Sequence, residues 1–252
     1  MKRPSACLFA ALVGACAHSH TRGRDLDPVA LAAQIEKAHA VPESLTAQGK
    51  AFVDAPQNGG RYPFQVAVRR PSSLRIAALD PLGNPAAVLV ADSGRFALLD
   101  TRAHKFFRGP ATAENLSRLI PAPLRDEELV ALLLGAPPPL QDGIPTAAFA
   151  SGDGSVLVLE APGGLSQEIC AGSDLRIERV RRLRGKDLWW SATLEDHDDQ
   201  GGAQMPRLIH FSIPGEKTEV ELTLRDRLIG KPPPFGAFQL GAPPGVEVVE
   251  LH

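Results

Sequence analysis

The sequence predicts a mainly β (α+β) fold, a strongly curved antiparallel sheet with helices grouped against one side. Three observations predict it. Most of the chain consists of short runs with period-two patterning, rich in Val, Leu, Ile and Ala. The runs are joined by clusters such as "PQNGG", "PSS" and "PGEK", far too short for the crossovers that parallel strands require. A single central stretch changes to helical spacing and then returns to strands. Counted this way, roughly eleven to thirteen strands and three helices are expected.

The elements follow in order. "DPVALAAQIEKAHAV" (27–41) offers Asp27 as N-cap and Pro28 at the first helical position, with Val29, Ala32, Ala33, Ile35 and Glu36 in amphipathic spacing. "SLTAQGKAFVDA" (44–55), "RYPFQVAVRR" (61–70) and "SLRIAALD" (73–80) then read as an antiparallel meander. The next turn, "LDPLGNP" (79–85), is unusual. Asp80, Pro81, Gly83 and Asn84 suit a tight turn, whereas Leu82 at its tip does not suit water.

Strand patterns continue at 86–92, 95–101 and 103–109. "TAENLSRLI" (112–120), with Thr112 as N-cap, and "RDEELVALLLG" (125–135), with acids in its first turn and Gly135 at its end, make a helical pair broken at "PAP". Strands resume at 145–151, 155–162 and 165–172, followed by "DLRIERVRRLRG", "DLWWSATLED", "RLIHFSI" and "TEVELTLRDRLI". In "RIERVRRLRG" (176–185) alternation separates Arg176, Glu178, Val180 and Arg182 from Ile177, Arg179, Arg181 and Leu183, which predicts a solvated strand. The tail after residue 230 is proline-rich, an extended arm with a last short strand near Val246 to Leu251.

Composition narrows the function. The 252 residues are 44% hydrophobic and 22% charged, enough for a real core, and the net charge of -2 lacks the basic excess of a nucleic-acid binder. A monomer is expected. Cys7 and Cys16 lie near the start and Cys170 stands alone, so the cysteines form neither a disulfide framework nor zinc-ligand spacing. Nor do the seven histidines assemble a metal motif. "EDHDDQGG" (195–202) reads as a solvated hairpin tip, "APGG" (161–164) precedes a strand rather than a phosphate-binding helix, and the serines lack a nucleophile-elbow context. Neither catalytic residues, nor a metal, nor a cofactor are expected. Cys170 reads as a small core residue, and adjacent Trp189 and Trp190 must face opposite sides of a strand. The sequence is rich instead in aliphatic residues on strands and helices, the walls of a cavity for acyl chains.

The N-terminus reads as an address. "MKRPSACLFAALVGAC" has Lys2 and Arg3, an apolar run from Ala6 to Val13, then Gly14 and Ala15 before Cys16, a secretory layout too short to span a bilayer. "LVGAC" resembles a bacterial lipobox, with Val13 where leucine is more usual. The resemblance implies that residues 1–15 are removed and that Cys16 is acylated, each buried methylene contributing about 0.8 kcal/mol to anchoring. The alternative is an ordinary cleaved signal in which Cys16 is incidental. Ala17, where an aspartate would favour inner-membrane retention, implies the outer membrane, with the domain facing the periplasm. Residues 16–26 then form the acylated cysteine and tether, in which His18 and His20 have no specific role. Residues 27–230 form the domain and 231–252 the arm.

The order of features resembles the LolB family, outer-membrane lipoproteins that receive other lipoproteins from a LolA-like periplasmic carrier and insert them into the membrane. "LTAQGKAFV", "RRPSSLRIAALDPLGNPAAVLVAD", "GPATAENLSRLIPAPLRDEELVALLLGAPP" and "MPRLIHFSI" with "EVELTLRDRLIG" carry it; 140–200 matches only in pattern. The resemblance implies an unclosed barrel of about 11 strands with helices covering the opening, and acyl chains of a lipoprotein or another lipid in an apolar cavity. It also assigns a membrane-insertion turn to Pro81, Leu82 and Gly83. Candidates for cavity and lid are Leu116, Leu119, Ile120, Leu129, Leu132, Leu133, Trp189 and Trp190. The arm and the low aromatic content depart from the family. A second reading is an envelope lipoprotein of the same fold in a structural or sensory role, with a filled interior.

Overall fold

Two meanders built of hairpins meet in a single sheet. In the computed structural model, which describes residues 22–38, 41–56, 59–200 and 202–252, the first meander comprises β1 (Ser44–Asp54), β2 (Gly60–Arg69), β3 (Ser73–Leu79), β4 (Pro85–Asp92), β5 (Arg95–Asp100) and β6 (Lys105–Pro110). The second comprises β7 (Ile144–Ser151), β8 (Gly154–Ala161), β9 (Leu165–Ala171), β10 (Ile177–Arg184) and β11 (Asp187–Glu195), then β14 (Leu208–Ile213) and β15 (Thr218–Ile229). Long β15 returns beside β1 and joins the two halves antiparallel, from Leu45 opposite Ile229 to Asp54 opposite Glu219. The sheet has fourteen strands in the order β16-β6-β5-β4-β3-β2-β1-β15-β14-β11-β10-β9-β8-β7, and its end strands do not pair.

This is the mainly β, unclosed and curved architecture expected from the sequence, with more strands. The small hairpin of β12 (Asp198–Gln200) and β13 (Ala203–Met205), inserted before β14, is additional, whereas β16 (Glu247–Glu250) is the short strand expected in the arm. Cys16, His18 and His20 lie outside the described residues.

Both open edges are covered by the ends of the chain. At the β6 edge, β16 pairs in parallel, Glu247 opposite Lys105 and Glu250 opposite Arg108. At the other, residues 23–26 bond to β7: Gly23 N donates to Ala150 O at 2.8 Å, Ala150 N to Arg24 O at 2.8 Å, and Leu26 N to Ala148 O at 2.9 Å. Bare edge strands invite association with other chains, and these contacts satisfy them. On its way to β16 the arm crosses the outer face of the first meander. Phe238 and Leu240 there cover Ala77, Val88 and Val90, with Arg69 5.1 Å from the Phe238 ring.

Three helices accompany the sheet. α1 (Pro28–Ala38) is capped as expected, Asp27 Oδ1 accepting from Val29 N at 2.9 Å and Ala30 N at 3.1 Å. Its buried face differs from expectation. Leu31 and Ile35, one i,i+4 stripe, are buried against the sheet, whereas Val29 is 65% exposed. α2 (Ala113–Leu116) is capped by Thr112 Oγ1, which accepts from Asn115 N at 3.2 Å. It ends well before residue 120, because Pro121 disfavours helix at the residue before it and the chain turns out there.

α3 (Asp126–Leu133) positions the interior. It packs on β2 and β3 while a side chain of its first turn meets β10. β10 stands five places from β2 and six from β3 in the sheet. One short helix can touch both only if the sheet curls around it, so α3 sits in the concavity.

Candidate functional site

Two places have features beyond ordinary packing: the concave interior under α3 and the β3–β4 turn. α3 starts at a one-sided cap, in which Glu128 Oε2 accepts from Arg125 N at 2.9 Å. It stops at Gly135, whose φ of 75° is the left-handed conformation glycine takes freely; Gly135 N donates to Leu132 O at 3.0 Å. Between these ends Leu129, Val130, Leu132 and Leu133 are buried in the sheet's concavity, joined by Leu116 from α2. Leu119 and Ile120 lie half-buried at the margin of the same cluster.

The sequence pattern predicts an apolar interior; the structure adds a charge. Arg182 on β10 is only 4% exposed. Its Nη1 lies 3.1 Å from Glu128 Oε1, and its Nε and Nη2 donate to Gln167 Oε1 at 3.0 and 2.6 Å. Nη2 also donates to Pro139 O at 3.2 Å, and Gln167 Nε2 to Pro138 O at 2.9 Å, so the loop leaving α3 is tied to β9 and β10. Burial pulls the guanidinium below its usual range, and the Glu128 carboxylate opposes that pull.

The solvated strand expected over 176–185 is therefore corrected on one face. A bulge between Ile177 and Arg179 lets Ile177 join Val180 and Arg182 inside, while Arg179, Arg181 and Leu183 stay half exposed. The partner of Arg182 lies far off in sequence. Glu128 is one of three consecutive acids in the first turn of α3, and the sequence does not single it out.

Trp190 stands directly across from Arg182, the guanidinium carbon 5.1 Å from its ring. It is fully buried, 5.4 Å from Phe211, and among the described residues its Nε1–H has no hydrogen-bond partner. Trp189 sits in the adjoining bulge of β11, half-buried, with Arg184 stacked 3.5 Å from its ring. Trp190 is thus the inward member of the pair.

The expected apolar cavity is filled in this state by the α3 leucines. The open clefts at Cys170, Arg176, Glu178 and His197 and at Arg207 and Arg225 are polar. Burial pushes the Cys170 thiol up to about 11, far from reactive thiolate range. In "EDHDDQGG", Asp198 pairs with Arg227 and Asp196 lies 3.5 Å from Arg207. No group of three or more potential metal ligands converges among the described residues.

The β3–β4 turn is stiff. Asp80 Oδ1 accepts from Leu82 N at 2.9 Å and Asn84 N at 2.8 Å, Gly83 N donates to Asp80 O at 2.9 Å, and Gly83 adopts φ 87°. These donors, Asn84 first, hold the Asp80 carboxyl below its ordinary value. Leu82 is 87% exposed at the tip. It does not fold back onto a neighbouring strand.

The geometry defines a curved, helix-plugged sheet, and solved structures of that kind exist. No sequence-family model and no curated protein matches the chain. A domain from Vibrio parahaemolyticus described as an outer membrane lipoprotein-sorting protein is similar with a TM-score of 0.62 and 10% identity, over 84% of this chain and 96% of that one. A LolA superfamily protein from Nitrosomonas europaea gives 0.59 and 13%, over 85% and 98%. A DUF1329 family protein from Desulfovibrio piger gives 0.63 and 10%, over 85% and 98%. The chain has a LolA-like fold.

Proposed function

We propose that this protein is an acyl-chain-binding lipoprotein, anchored through Cys16 to the outer membrane, that receives lipoproteins from a LolA-like carrier and inserts them. The observation that carries the reading is the exposed Leu82 on its hydrogen-bonded turn, in a fold whose concave aliphatic face is covered by one short helix. An apolar side chain held out by a stiff mount enters a bilayer without ordering cost at the moment of contact. The reaction needs no covalent step; transfer goes downhill if the bilayer holds the cargo better than the cavity does.

The interior is filled, so α3 must move for cargo to enter. Seven chain steps separate Cys16 from Gly23, the first residue held at β7, a reach of at most about 25 Å. The anchored membrane therefore lies close to that edge.

The filled interior also favours a second reading, a structural or sensory envelope lipoprotein of the same fold. The two separate on one experiment. In a reconstituted transfer assay the Leu82→Glu chain should still bind cargo and fail to insert it; insertion at the parent rate rejects the first reading.

A further inference from the structure

The inner face of α3 is an unusual composition for a lid: buried leucines next to two buried acids, Asp126 and Glu128, of which Glu128 meets a buried arginine. Leu129, Leu132 and Leu133 fill the aliphatic concavity, and Glu128 meets Arg182 at its polar end. An acyl chain with an anionic head presents the same two features in the same order. The site beneath is built rather than incidental. Arg182 is fixed by Gln167 and the Pro139 carbonyl as well as by Glu128, and Gln167 by the Pro138 carbonyl. Trp190 adds an indole N–H that is fully buried and without a partner in this state. Burying an unpaired donor costs free energy, and a polar ligand group placed beside it would recover that cost.

We infer that α3 is an internal stand-in for the ligand, and that Arg182, with Gln167 and Trp190 beside it, forms a head-group site for an anionic acyl amphiphile whose carboxylate or phosphate replaces the Glu128 carboxylate. The inference rests on the acyl-binding part of the reading above and names a class of ligand other than the neutral acyl groups of a lipoprotein. Displacement of α3 removes the leucines and the carboxylate together, which leaves a dry groove ending in an unpaired guanidinium. A neutral acyl ester cannot satisfy that guanidinium; an anionic head satisfies it bidentately.

The test uses the full chain carrying Cys16→Ser and two fluorescent probes, cis-parinarate and its methyl ester, read by energy transfer from tryptophan. The parent should prefer the anion by about tenfold, the ordinary size of one charge-assisted contact. Glu128→Gln removes the competing carboxylate and should tighten parinarate by about a further tenfold while leaving the ester little changed. Glu128→Gln/Arg182→Met should bind both probes alike. If the single variant does not fold, the parent against the double variant, which replaces both charges at similar volume, carries the same test. Displacement of bound parinarate by oleate assigns a carboxylate head and displacement by lysophosphatidate a phosphate head; displacement by neither contradicts the site. Equal binding of both probes by the parent and both variants overturns the head-group site and leaves the acyl-binding function standing. Binding of neither probe by any of them overturns both.

Discussion

Leu82 differs in its setting from an ordinary exposed hydrophobe. Isolated surface leucines are common. This one stands on a turn in which Asp80 Oδ1 holds two amides and Gly83 supplies a positive φ. Asp80→Ala should leave the strands intact and loosen the tip, seen as faster amide exchange at Leu82 and Asn84; unchanged exchange would show that the side chain does not set the turn. Leu82 was legible in the sequence because an apolar residue among four turn formers violates local chemistry. Arg182 was not. Alternation put it on the Val180 face, but its burial depends on a carboxylate and an amide from other elements, and neither leaves a periodic signal.

At the scale of elements, α3 is the part expected to move. Its buried leucines predict that Leu132→Ala costs about 2–5 kcal/mol if the helix unfolds only with the whole domain. If α3 detaches on its own, chemical denaturation will report less, and the loss will appear as faster exchange confined to residues 126–134. Acidity should act on the same helix. Burial, reinforced by the Glu127 carboxylate, pushes Asp126 from its ordinary 3.8 up to about 6. The folded state therefore holds a proton that the unfolded chain releases, so docking is strongest below about pH 4 and weakens as pH rises through about 6. Acrylamide quenching of Trp190 should increase over that interval, and Asp126→Asn should flatten the response; quenching that falls with rising pH would contradict the assignment. The caps at Asp27 and Gly135 and the central helical pair were readable from residue type alone. The early end of α2 and the inward stripe of α1 were not, because proline geometry and the sheet beneath decided them.

For the whole molecule, the curved unclosed sheet followed from connection lengths, since hairpins this tight admit only antiparallel neighbours. The covering of both edges by the chain's own ends could not be read that way: the last short strand was legible, but its parallel pairing with β6 and the bonding of residues 23–26 to β7 leave no local signature. The arm makes a prediction at this scale. Ending the chain at residue 230 uncovers the β6 edge and the patch of Ala77, Val88 and Val90, and should cause aggregation visible by light scattering. A monodisperse truncated protein would assign the arm no protective role. The central claim is that the concavity α3 now fills is a seat for acyl chains. Native mass spectrometry of the full chain carrying Cys16→Ser, purified from a cell envelope without detergent exchange, tests it most directly. The account predicts a population shifted by the mass of one lipid or lipopeptide, enriched when Glu128 is replaced by Gln. Only the bare protein mass, in the parent and in that variant alike, would contradict it.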